Sequence, residues 1–228
     1  LKVNNSCMNR PNVLKEVQLM NSLNHPNVIK LMGVCVHNGQ MHALTEFANG
    51  GCLEQLINNH SVEFQWIDRI NIASDIARGL NYLHSKFIIH RDLTSKNILL
   101  KIDPSQTITA IVGDLGLATK VKDLEKESSL SVVGSPYWMA PECINGLPYN
   151  AKADVFSYGI VLCEMIARVE ADPDYLPRTE NFGVDYVAFG KLAKDCPINF
   201  LQFTFNCCQV DPVKRPTFND LLSSIDVI

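Results

Sequence analysis

The sequence predicts an α+β chain of two unequal lobes, a small β-rich one followed by a large, mainly helical one. Two β-rich runs, VIKLMGVCV and MHALTEF, are joined by His37-Asn38-Gly39-Gln40 and read as a hairpin. Asn49-Gly50-Gly51 then breaks the pattern. Beyond that break, apolar residues recur at helical spacing over long stretches. The expected division is a partial first lobe at 1–47, a hinge at 48–52 and a second lobe at 53–228, all within one domain.

The elements follow in order. RPNVLKEVQLMNSL, residues 10–23, puts Val13, Leu14, Val17, Met20 and Leu23 on one helical face, and His25-Pro26-Asn27 stops the helix. Residues 66–84 carry Ile67, Ile70, Ala73, Ile76, Ala77, Leu80 and Leu83 at helical spacing. A helix at 151–168 is apolar on nearly all sides and belongs at the centre. Further helices are expected at 198–209 and 217–225, and a strand-and-loop region separates the first two long helices.

The 228 residues are 46% hydrophobic and 19% charged, an ordinary globular composition. A net charge of −4 argues against nucleic acid as the main partner. The longest apolar run, Val155–Ala167, is interrupted by Ser157, Tyr158, Gly159 and Glu164, so no membrane span is expected. Eight cysteines include no Cys-x-x-Cys pair, and Cys207-Cys208 read as buried free thiols of a reducing, intracellular setting.

Within IIHRDLTSKNILL, residues 88–100, an acid and an amide stand five positions apart between buried segments. His90-Arg91-Asp92-Leu93…Asn97 is followed by Asp114-Leu115-Gly116 after an apolar strand, and then by Ala140-Pro141-Glu142. The first set alone would arise by chance at roughly one start point in several million. In this order and spacing the motifs resemble the catalytic domain of eukaryotic protein kinases.

That resemblance implies a two-lobed protein-kinase fold that uses ATP with Mg²⁺ or Mn²⁺. Asp92 would take the proton of the substrate hydroxyl, and Asn97 and Asp114 would hold the metal. Lys96 would stand beside the base. Lys2 would neutralise phosphate charge with Glu16 holding it, while Thr45, Glu46, Phe47 and Leu99 would line the adenine pocket. Glu142 and Arg215 would form a long-range ion pair, and Asp154 would fix the backbone of the Asp92 loop. Met20, Leu31, Leu115 and His90 would stack between the lobes, with Leu115 in place of the usual Phe making a looser column. The resemblance also implies two strands and a glycine-rich loop before Lys2, so the sequence reads as N-terminally truncated. No G-x-G-x-x-G or P-loop occurs in it, and the absent P-loop argues against a metabolic P-loop ATPase.

DLTSKN, GSPYWMAPE, ADPDYLPRTENFG and FNCCQVDPVKRPTF resemble the LIM-domain kinase and testis-specific kinase family, closest to the testis-specific branch. This implies dual specificity, cofilin-type actin regulators as protein substrates, and a cytoplasmic location with a nuclear fraction. Arg91 before the base resembles kinases switched by a loop phosphate. Ser131 matches the regulatory position, and Ser135 could serve structurally or as an autophosphorylation site. The alternative is a catalytically silent pseudokinase acting as a binding module.

Overall fold

The computed structural model describes residues 10–37, 39–121 and 133–228. Lys2 and Ser131 lie outside those residues.

Helix α1 (Arg10–Asn21) opens the described chain and buries Val13 and Met20, and Leu23, just past its end, is buried too. Leu14, expected on the same face, is 46% exposed. Strands β1 (Leu31–His37) and β2 (Gln40–Thr45) form the expected hairpin, with the register shifting between Leu31 and Gly33. At that irregularity Met32 is turned out to solvent.

The second lobe begins with a short helix, α2 (Leu53–Asn58), which periodicity does not reveal in so few residues. Helix α3 (Trp66–Ser85) buries Ile72, Ala73, Ile76, Ala77, Leu80 and Leu83. Ile67, placed on that stripe by spacing, is 58% exposed because it lies in the first turn, outside the packed face. A Cβ on Gly79 would lie 2.4 Å from the Asn27 carbonyl, so a side chain there would push the helix off the loop that joins α1 to the hairpin.

After α3 come β3 (Ile88–Ile89), β4 (Ile98–Ile102), β5 (Ile108–Val112) and β6 (Thr119–Lys120). Strands β4 and β5 pair antiparallel from Ile98↔Val112 to Ile102↔Ile108, and β3 pairs with β6. Helices α4 (Pro141–Ile144), α5 (Lys152–Ala167), α6 (Tyr186–Leu192), α7 (Ile198–Cys207) and α8 (Phe218–Ile225) follow among the described residues. Helix α5 is buried from Ala153 to Ile166 apart from Ser157, as expected for a central helix. Helix α8 starts in a capping box, with Thr217 and Asp220 satisfying each other's backbone N–H.

One core runs through both parts, from Met20 and Leu23 to Phe218 and Ile225. Arg168 reinforces it by donating to the carbonyls of Leu56, Ile57, Asn59 and Val62, closing the C-terminal end of α2. No helix among the described residues is long and apolar enough to cross a membrane.

Candidate active site

The loop after β3 is held by one carboxylate. Asp154, in the first turn of α5, accepts the backbone N–H of His90 at 2.9 Å and of Arg91 at 3.0 Å, and the His84 ring at 2.8 Å. Arg91 needs this restraint, because its φ of 67° is a left-handed conformation that non-glycine residues rarely adopt. Burial pushes the Asp154 carboxyl up, but the hydrogen bond and charge of His84 and the field of His90 outweigh it, leaving the pKa lowered.

Gly113, at the end of β5, ties the second acid to this loop. Its N–H donates to the Asn97 carbonyl at 2.8 Å, and its own carbonyl meets His90 Nε2 at 2.9 Å. Asp114 therefore follows directly from a residue clamped to both ends of the Asp92 loop. Its backbone is also left-handed, with φ 51°, and its Oδ1 accepts the Gly116 N–H at 3.3 Å. The Glu16 carboxylate faces the same turn, 3.6 Å from where a Cβ on Gly116 would lie.

Asn97 closes a single 3₁₀ turn capped by Thr94. Its Nδ2 donates to the Asp92 carbonyl at 2.8 Å and lies 3.4 Å from Asp92 Oδ2. With the NH₂ group so directed, the side-chain oxygen is left for a hard cation. Asp92 Oδ1 accepts both the N–H and the hydroxyl of Ser135, at 2.8 and 2.9 Å. Gly134 permits that approach: its φ is 113°, and a Cβ would lie 2.5 Å from the Arg91 carbonyl.

The expected nucleotide-facing residues sort unevenly. Leu99 pairs with Cys52, and Gly50 and Gly51 exchange backbone bonds with Leu100, so the hinge is tied to β4. The Glu46 side chain is already engaged, by the Lys30 N–H at 2.8 Å and by the Lys101 ammonium. The Glu46 N–H is engaged as well, donating to the Lys30 carbonyl at 3.0 Å, which leaves the Glu46 carbonyl to meet a ligand. Thr45 is exposed at the end of β2, opposite Leu31, and Phe47 is 83% exposed. Phe47 borders an open cavity of about 420 Å³ with Asn49, Lys101 and Ile102. Lys96 also differs from expectation: its ammonium lies 3.4 Å from Glu54, and its side chain is 62% exposed. As the middle residue of the 3₁₀ turn it points outward, while Asn97 points to Asp92.

Glu142 and Arg215 meet in a buried two-pronged pair at 2.6 and 2.7 Å, and Arg215 also donates to the carbonyls of Gln209, Val210 and Lys152. Met20, Leu115 and His90 are buried, and Leu31 packs on the same core. Arg91 donates to the Leu117 carbonyl at 2.7 Å and borders a cavity of about 520 Å³ shared with Lys15 and Lys120. Those two lysines carry no sequence signal of their own, since isolated surface lysines are common. Cys163, Cys207 and Cys208 are fully buried free thiols. Burial pushes Cys163 and Cys207 far above the usual thiol range, so neither is poised as a nucleophile.

A left-handed Arg91 clamped by a buried acid, with Asp92, Asn97 and Asp114 drawn together through Gly113, is the arrangement of a phosphoryl-transfer site. The chain matches the family profile described as protein tyrosine and serine/threonine kinase over residues 1–225, and it belongs to that family. It is 58% identical over its full length to human dual specificity testis-specific protein kinase 2, covering 40% of that protein. It is 54% identical over its full length to human dual specificity testis-specific protein kinase 1, covering 37% of that protein. Identity to Drosophila melanogaster LIM domain kinase 1 is 39%, over 92% of this chain and 19% of that protein. The chain thus spans about 40% of the length of the testis-specific relatives.

Proposed function

We propose that this domain transfers the γ-phosphoryl group of ATP to serine and threonine hydroxyls of proteins, and also to tyrosine. The observation that supports it most is the convergence of Asp92, Asn97 and Asp114 through the bonds of Gly113 and Asp154. In this reading Asp92 Oδ2 accepts the substrate hydroxyl's proton, while Ser135 occupies Oδ1 and fixes the carboxylate plane. Asn97 Oδ1 and the Asp114 carboxylate are hard oxygen donors that suit Mg²⁺, and the bound metal with ATP supplies charge neutralisation at the transferring phosphate. Lys2 is proposed to meet the phosphates with Glu16 steadying it.

The dual-specificity relatives support acceptance of both hydroxyl types. Likeness to the LIM-kinase and testis-specific branches supports cofilin-type actin regulators as substrates and a cytoplasmic site of action. Arg91, with Lys15 and Lys120 beside it, is proposed to receive a phosphate on the Ser131 segment.

The test is phosphoryl transfer by the full-length protein to a cofilin-type protein, with phospho-residues mapped. Asp92→Ala is expected to lower transfer by 100-fold or more while ATP still binds, as removal of a positioned proton acceptor costs about 10²–10⁴. Asp114→Ala is expected to remove the Mg²⁺ dependence of nucleotide binding. Unchanged turnover in Asp92→Ala would overturn the assignment of the base, and nucleotide binding without any transfer would favour the silent binding module.

A further inference from the structure

Glu164 stands on α5 ten residues beyond Asp154, and it is 2% exposed. Neither the base, the metal donors nor the ion pairs described above use it. Its two oxygens are nevertheless taken by two different segments of the cleft. Ser95, between Asp92 and Asn97 in the 3₁₀ turn, donates its hydroxyl to Oε1 at 2.9 Å. Trp138 donates its indole N–H to Oε2 at 2.7 Å. Trp138 lies three residues after Ser135, which holds Asp92, and directly before Met139 and the Ala140-Pro141-Glu142 motif. One carboxyl therefore joins the loop that bears the base to the segment that flanks it.

A buried carboxyl is expensive, and an apolar side chain would pack this helix at lower cost. Two charged groups act on it. Glu54, on α2, opposes a charge on Glu164 and pairs with Lys96 of the base loop, and Arg178 favours one. Arg178 is itself a bridge, donating to the carbonyls of Tyr137 and Phe182, and its buried Nε has no partner among the described residues. The same segment that Trp138 anchors to Glu164 is thus held a second time, through Tyr137, by Arg178.

Resting on the kinase reading above, we propose that Glu164 is a positioning residue that keeps the base loop and the Trp138 segment in register through Ser95 and Trp138. Removing it leaves two buried donors unpaired and lets the two segments move independently. The Trp138 segment reaches Asp92 through Ser135, so the loss falls first on the protein substrate that Asp92 meets.

The experiment measures steady-state transfer to casein, and autophosphorylation, by the full-length protein and by Glu164→Ala, Glu164→Gln, Ser95→Ala and the Ser95→Ala/Glu164→Ala double variant. Rates are normalised to the folded fraction by circular dichroism. Glu164→Ala should lower kcat/KM for casein about tenfold or more, with KM for ATP unchanged, the scale expected for unpaired buried donors. Glu164→Gln should recover most of this, because its Oε1 accepts from Trp138 while its NH₂ donates to Ser95. The double variant should be no worse than Glu164→Ala alone. A second readout does not depend on transfer. The Trp138 contribution to the emission, isolated as the difference between the parent and a Trp138→Phe protein, should titrate with a midpoint near 8, a change that Glu164→Gln abolishes.

Parent-like kcat/KM in Glu164→Ala, multiplicative losses in the double variant, or an emission that Glu164→Gln leaves unchanged would each overturn the bridge. An inactive parent would instead overturn the kinase reading, and the kinetic role of Glu164 with it.

Discussion

Helix α5 carries two buried carboxyls that the same burial treats in opposite ways. Asp154 sits at its N-terminal end and receives two backbone N–H groups and the His84 ring; its pKa is lowered. Glu164 sits in its C-terminal half and receives two neutral side-chain donors; burial pushes it up to about 8. Both are essentially out of solvent, at 1% and 2% exposure, so burial cannot explain the difference. The partners do. Three donors, one of them able to carry charge, and a position in the first helical turn favour an anion at Asp154. Two neutral donors beside the charge of Glu54 do not offset desolvation at Glu164. Asp154 is thus built to hold a charge and strained backbone, and Glu164 to hold two segments together at little charge.

The harshest way to break this comparison is to neutralise the charged end. Asp154→Asn presents an NH₂ group to N–H donors that need an acceptor. It should destabilise the fold by roughly 3 kcal/mol or more, the range for a broken buried charge network. Phosphoryl transfer should be lost even at temperatures where the variant stays folded, because Arg91 can then relax from φ 67°. Thermal denaturation by circular dichroism and a transfer assay at low temperature check the two parts. In the parent protein this carboxylate's contribution is fully present above its unfolded pKa of about 3.8 and is lost as pH falls toward the lower folded value. A folded, active Asp154→Asn protein would remove Asp154 from its assigned role.

The neutral end predicts a pH dependence of opposite sign. Between the ordinary value of 4.5 and about 8 the unfolded chain has released the Glu164 proton while the folded one retains it. Stability at this site therefore falls as pH rises through that window and levels off above it. Glu164→Gln removes the falling segment, so the stability difference between variant and parent should grow in the variant's favour from pH 5 to pH 8. Urea titrations at several pH values measure it, and a constant difference would mean that Glu164 is ionised throughout.

What the sequence could show divides along the same helix. Asp154 was readable because it lies in a spaced motif with the Asp92 loop, and motif spacing survives without knowledge of packing. Glu164 was visible only as an interruption in an apolar run, since its partners lie 69 residues before it and 26 residues before it. The long helices were legible from periodicity, which needs several turns to register. The short α2 and α6 offered too few residues for that. Exposure of Leu14 and Ile67 was not legible either, because spacing defines a stripe but not how far the neighbouring lobe covers it. Lys15 and Lys120 join Arg91 only through the pairing of β6 with β3 and the packing of α1 over the Asp114 turn.

The smallest expected effect sharpens the comparison from outside the helix. Lys96 follows Ser95, the donor to Glu164, and its charge meets Glu54, the acid that opposes ionisation of Glu164. Motif position put Lys96 beside the base, whereas the structure turns it outward to Glu54 at 3.4 Å with 62% of its side chain exposed. Exposed pairs of this kind contribute about 0–1 kcal/mol, and salt weakens them further. Lys96→Met should therefore lower stability by less than about 1 kcal/mol. It should change transfer by no more than about fivefold, the kinetic equivalent of that energy. Glu54→Gln should behave alike, and both effects should shrink at high salt. Removing the lysine also frees the Glu54 charge to oppose Glu164, so the Trp138 emission midpoint should move up in Lys96→Met and down in Glu54→Gln. A 100-fold loss of kcat in Lys96→Met with Glu54→Gln near the parent would show that the ammonium leaves Glu54 for Asp92 during turnover, and would return Lys96 to the catalytic set.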